Sequence, residues 1–114
     1  MSKVPEKFWK FVRRYPAVAR AYEEYAGACH RAGPLGDRER VLIKLGIAIG
    51  SNAEGSVKSQ VRKALDLGVA PGEIRHAILL APTAIGLPMM MDALYWAEEI
   101  LGAEEPEGGA QPGR

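Results

Sequence analysis

Residues 38–50 constrain this chain most tightly. Val41, Leu42, Ile43, Leu45, Ile47, Ala48 and Ile49 crowd into the run, with Lys44 as the only charge among them. On a helix these side chains cover more than one face, which is too broad for a helix lying on the outside of a domain. Such a helix is central and covered on most sides. No segment shows sustained alternation of apolar and polar residues, so the covering elements are themselves helices. The class is all-α.

Proline and glycine mark off the covering helices. Pro5 opens a first segment in which Phe8, Phe11 and Val12 share one side, with Trp9 beside them. Arg13 and Arg14 fall in its last turn, where cations suit the helix dipole. Tyr15-Pro16 ends it, because the residue before proline is steered away from the α region. Pro16 then fits the first turn of a second helix, in which Val18, Tyr22, Tyr25 and Cys29 lie at helical spacing as far as about Arg31. Residues 32–36 are a stop and a loop, and Asp37 is expected to cap the central helix. Ser51-Asn52 forms a polar joint. A fourth helix spans residues 53–67 and ends at Gly68, a residue type suited to the position after a helix. Pro71 and Glu73 start a fifth, with Ile74, Ala77, Ile78 and Ala81 as its stripe. Pro82 and Gly86 interrupt, and residues 89–101 make a closing helix with Met90, Leu94, Ala97 and Leu101 on one face. This gives about six helices in a single domain, residues 1–102, without an internal repeat. Residues 103–114 are rich in Gly, Pro and Glu and are expected to form a disordered tail.

Charge and cysteine usage exclude several function classes. Lys plus Arg is 15 and Asp plus Glu is 14, a net charge of +1, so nucleic acid or an anionic membrane has no electrostatic claim as main partner. A single cysteine, Cys29, excludes an intrachain disulfide and a cysteine-based zinc site. Lys44, Pro82 and Gly86 break the apolar stretches too soon for a membrane span. Residues 1–16 hold no apolar signal core. The expectation is a soluble, cytoplasmic protein with no cofactor and no metal.

Few residues could carry chemistry by themselves. Cys29 is followed by His30, and a neighbouring imidazole can activate a thiol. Adjacent helical residues point about 100° apart, however, and Cys29 among Ala26, Ala28 and Ala32 reads equally as a small packing residue. His76, after Glu73 and Arg75, is either a base or a hydrogen-bonded histidine at a helix contact. Met89, Met90 and Met91 span about 200° of a helix, so they divide between the core and another surface, with a subunit interface one candidate.

Residues 46–88, GIAIGSNAEGSVKSQVRKALDLGVAPGEIRHAILLAPTAIGLP, resemble the carboxymuconolactone decarboxylase and alkylhydroperoxidase-D-like family. The likeness includes an Arg-containing lead, residues 37–43, into the apolar helix. It continues in the run Val61-Arg62-Lys63-Ala64-Leu65, in Gly68, Val69, Glu73 and Ile74, and in Gly86 and Pro88 before the closing helix. It extends over about residues 8–101. The resemblance implies an alkylhydroperoxidase-D-like helical subunit that associates into homotrimers or homohexamers. It also implies hydroperoxide-reducing (peroxiredoxin-type) or lactone-acid decarboxylase chemistry.

The catalytic positions depart from that pattern. The peroxidase branch carries Cys-x-x-Cys-x-x-x-His after the joint, a spacing that puts all three groups within about 60° of one another on a helix. Here those positions are Ala53, Ser56 and Gln60, and a glutamate of the preceding helix corresponds to Val41. Without both thiols and the imidazole, thiolate attack and resolution have no carrier at these positions. The decarboxylase branch keeps the histidine and places acidic residues near the helix start. Glu54 matches one of these and Arg40 matches an arginine of the preceding helix, while Gln60 again replaces the histidine. The candidate catalytic residues are therefore His76, Glu54 and Arg40, and the candidate pocket residues are Ser56, Gln60 and Lys58. Cys29 is the one candidate redox residue. The pocket would take a small polar or anionic molecule, with Arg40 or Lys58 as counter-charge. Equally, Glu54 offsets the helix N-terminus, Ser56 and Gln60 are hydrogen-bonded filler and Lys58 is solvated. A non-catalytic, oligomeric small-molecule-binding or structural protein is the alternative to an enzyme.

Overall fold

The computed structural model describes residues 4–104. Among them the chain is all-helical: α1 (Glu6–Arg14), α2 (Pro16–Arg31), α3 (Asp37–Gly50), α4 (Glu54–Asp66), α5 (Pro71–Leu79), α6 (Pro82–Ile85) and α7 (Leu87–Glu104). The expected boundaries hold closely, with three differences. Gly36 caps α3 and Asp37 is its first helical residue, its carboxylate paired with Arg40 one turn on. The Pro82–Gly86 interruption contains a single helical turn, α6, closed by Gly86 at φ 101°. The closing helix begins at Leu87, so Pro88 sits in its first turn, where a missing N–H costs nothing. The tail expected over residues 103–114 lies outside the described residues except for its first two positions, which continue α7.

The α3–α4 hairpin is the centre of the fold. α7 packs across α4, α5 and α6, and α5 also rests on α3. Leu45, Val57, Val61, Ala64, Ile74, Ile78, Ala97 and Leu101 are fully buried between these helices. Ion pairs clamp the rim: Arg38 to Glu73 (2.9 Å) between α3 and α5, Lys58 to Glu99 (2.8 Å) between α4 and α7, and Arg75 to Glu98 (2.6 Å) between α5 and α7. Each exposed pair of this kind contributes at most about 1 kcal/mol, so the apolar core carries the stability. Met90 joins that core while Met91 points outward.

The turns follow from local chemistry. Asn52 takes the left-handed conformation (φ 52°) that turns α3 into α4, and asparagine tolerates it better than most residues. At the end of α4, Gly68 (φ 88°) donates to the Leu65 carbonyl and Val69 donates to that of Ala64, the two bonds of a Schellman close. A Cβ at Gly68 would meet nothing within 4 Å, so its cost is conformational. Gly68→Ala is expected to lose about 1–2 kcal/mol in denaturant unfolding, with no change in native spectra.

The central helix is less covered than its composition demands. Ile47 is 63% exposed and Ile43 49%. The second helix departs further from expectation. α1 packs on α2, yet neither buries a residue, and Phe8, Phe11, Val18, Tyr22 and Tyr25 all stand open. The long dimension of 50 Å against 30 and 25 Å agrees with a hairpin that is only edge-joined to the rest.

Candidate functional site

Two cations of α3, Arg40 and Lys44, are half-buried. Arg40 and Lys44 are one helical turn apart and therefore share a face. Gln60 and Lys63 of α4 are likewise close neighbours on a helix. The α3–α4 hairpin sets these two faces against each other, and His30, in the last turn of α2, adds to the lining. The result is a cleft of about 80 Å³ lined by His30, Asp37, Arg40, Val41, Lys44, Gln60, Lys63 and Leu67. It adjoins a wider hollow of about 350 Å³ that shares Lys44, Gln60 and Lys63 and adds Tyr22, Ile47, Ser51 and Ser56.

Charge is concentrated in the narrow part. Arg40, Lys44 and Lys63 face a single carboxylate, Asp37, which is already paired with Arg40. Arg40 also donates to the Leu35 carbonyl and, at 3.5 Å, to that of His30, so it ties the α2–α3 loop to the helix. Lys44 Nζ stands 2.5 Å from His30 Nε2. An ammonium can only donate, so His30 accepts here and is neutral, with its proton on Nδ1. The Lys44 charge, then desolvation, then Arg40 and Lys63 hold the His30 imidazole below its ordinary value, and Asp37 opposes them. Gln60 Oε1 is buried without a hydrogen-bond partner.

Of the family-matched positions, Val41 and Gln60 line the narrow cleft and Ser56 and Gln60 the wider hollow, while Ala53 lines neither. Arg40 is in the cleft as well. The remaining candidates are elsewhere. Lys58 bonds Glu54 (2.7 Å) and Glu99 (2.8 Å), a cluster that raises the lysine above its usual range and belongs to the α4–α7 clamp. His76 is exposed on α5, and neither it, Glu54 nor Lys58 lines the cleft that holds Arg40 and Gln60. The set His76, Glu54 and Arg40 is thus not brought together in that cleft. Cys29 is exposed on α2 and lines neither part of the site. The residues overlooked in the sequence are His30, Lys44 and Lys63. A signal existed for Lys44, the one charge within the apolar run from Val41 to Ile49 of the central helix. His30 gave none, because its approach to α3 is tertiary.

Among the described residues, no group of three or more His, Cys, Asp or Glu side chains is placed to hold a metal ion, and no helix is long and apolar enough to cross a membrane. A family model, described as carboxymuconolactone decarboxylase family, matches residues 16–99, most of the chain and all of it from α2 into α7. No curated protein and no solved structure matches.

Proposed function

Because the chain belongs to the carboxymuconolactone decarboxylase family, we propose that it binds a small organic acid in the cleft between α2, α3 and α4. The observation that carries this reading is the excess of cation over anion there. Arg40, Lys44 and Lys63 surround one carboxylate, and the unpartnered oxygen of Gln60 is ready to accept from a hydroxyl or protonated group of a ligand. A carboxylate entering the cleft accepts charge-assisted hydrogen bonds from the lysines, which are about twice as strong as neutral ones. The wider hollow beyond, with Tyr22, Ser51 and Ser56, takes the remainder of the molecule.

Of the two family chemistries, the lining groups favour acid binding of the decarboxylase type over peroxide reduction. A thiolate cycle needs sulfur at the site, and Cys29 is outside it. Titration calorimetry with oxalate at about pH 8 tests the proposal: saturable binding is expected, and no heat at millimolar oxalate overturns it. Turnover of an organic hydroperoxide with a dithiol, abolished in Cys29→Ser, would restore the peroxidase reading instead.

The partner is a second copy of the chain, in a homotrimer or homohexamer. This reading is supported by the apolar side chains that the subunit leaves open: Phe8, Phe11, Val18, Tyr22 and Tyr25 on the α1–α2 hairpin and Ile43 and Ile47 on the central helix. An apolar exposure of that kind is unusual for a soluble monomer. Gel filtration with light scattering is expected to give a multiple of three subunits, and a monomer would remove the assembly.

A further inference from the structure

We propose that an anion entering the α2–α3–α4 cleft brings a proton with it, taken up by His30. The inference rests on the acid-binding reading of the site and adds to it the proton that accompanies the ligand.

The argument begins with the neutral state of the imidazole. His30 Nε2 accepts from Lys44 Nζ at 2.5 Å. Protonation of Nε2 would place an N–H against an ammonium, in a cleft that already holds Arg40 from α3 and Lys63 from α4. The one acidic group facing it, Asp37 of α3, is engaged by Arg40. The charges around the ring therefore oppose its protonation, and the lowered His30 affinity for protons is consistent with this.

A bound dianion reverses each of these conditions. Its oxygens accept the Lys44 N–H bonds, so Lys44 turns away from the ring and Nε2 loses its donor. Nε2 then binds a proton from solvent and donates it to the anion, a charge-assisted bond where none existed. The ligand charge also offsets the repulsion from Arg40 and Lys63. The backbone favours the same outcome, because His30 lies in the last turn of α2, where the helix carbonyl ends stabilise a cation. The bonds exchanged are one Lys44–His30 contact for a Lys44–anion and a His30–anion contact, and the only species consumed is one solvent proton.

The consequence for the site is a neutral base that becomes an acid only when the ligand is present. It is supplied from α2, in a cleft that Gln60 of α4 also lines. Linkage requires that whatever raises the proton affinity of His30 must itself bind more tightly as pH falls.

The chain has two histidines, and His76 is exposed on α5, away from the cleft, so it serves as an internal reference. The experiment follows both imidazole Cε1–H resonances of the native protein through pH by NMR, with and without oxalate, which remains a dianion over the range. It also measures oxalate affinity by calorimetry between about pH 8 and about pH 5.5. The expected result is an upward shift of the His30 midpoint by about one pH unit, an unmoved His76, and affinity that rises by several-fold, up to about tenfold, as pH falls across the range. In His30→Gln the rise in affinity between high and low pH is expected to disappear. Oxalate binding with pH-independent affinity and an unmoved His30 midpoint would overturn the proton uptake while leaving the acid-binding reading intact. Absence of oxalate binding at every pH would overturn both.

Discussion

Replacing Lys44 and Lys63 together by methionine is expected to weaken oxalate binding by about a hundredfold or more, while the protein stays folded. Methionine keeps most of the apolar stem and removes the charge. A hydrogen bond to a charged group contributes about 1.5–3 kcal/mol, so two such losses exceed the about 2.7 kcal/mol of a hundredfold change. Lys63 is exposed and Lys44 only half-buried, so neither removal leaves a cavity in the core. The control is Lys58→Met. Lys58 is also a cation of α4, but it is spent on Glu54 and Glu99 on the side facing α7. That variant is expected to bind oxalate as the native chain does. Calorimetry on the two variants separates a site built from specific cations from general attraction to a basic surface. Equal losses in both would refute the assignment of the cleft.

Leu45→Ala is expected to cost about 2–5 kcal/mol in denaturant unfolding and to lower Tm by about 10 °C or more. Leu45 has no exposed surface and sits where α3 meets its neighbours, among residues that are themselves fully buried. Packing there is tight on all sides, so the surroundings cannot collapse into the space the side chain leaves. Ile47, two residues on, makes the informative comparison. It is 63% exposed in the single subunit, so Ile47→Ala should change the stability of an isolated chain by little. A large, concentration-dependent loss for Ile47→Ala would show that another copy covers this face. The pair of substitutions thus measures the core and the assembly with the same assay.

Most of the helices were legible in the sequence because their ends are local events. Tyr15-Pro16, Gly68 and Pro71 act through their own backbone preferences, and the structure places boundaries at all three. The one element without a forecast, α6, is a single turn inside a Pro-Gly interruption, too short to show a period. The apolar stripe of α2 was legible as a pattern but not as a destination. Val18, Tyr22 and Tyr25 lie at helical spacing, and the subunit buries none of them. Periodicity states that a face is apolar and does not state which molecule covers it.

The site divides in the same way. Family likeness marked Val41, Ala53, Glu54, Ser56 and Gln60, and Arg40 as the match to an arginine of the preceding helix; Val41, Arg40, Ser56 and Gln60 line the cleft or its extension, and Ala53 and Glu54 do not. Glu54 and Lys58 are neighbours of those residues in sequence and line neither part of the site, because a helix turns about 100° per residue and Lys58 is held by Glu99 of α7 and by Glu54. The sequence alone therefore determined the all-helical class, most of the helix boundaries and the family. These depend on residue identity and on spacing within one helix. Tertiary structure alone decided that His30, Lys44 and Lys63 form one cationic cleft. His30 of α2 meets Lys44 of α3 across the α2–α3 loop, and no pattern within a single helix encodes that approach.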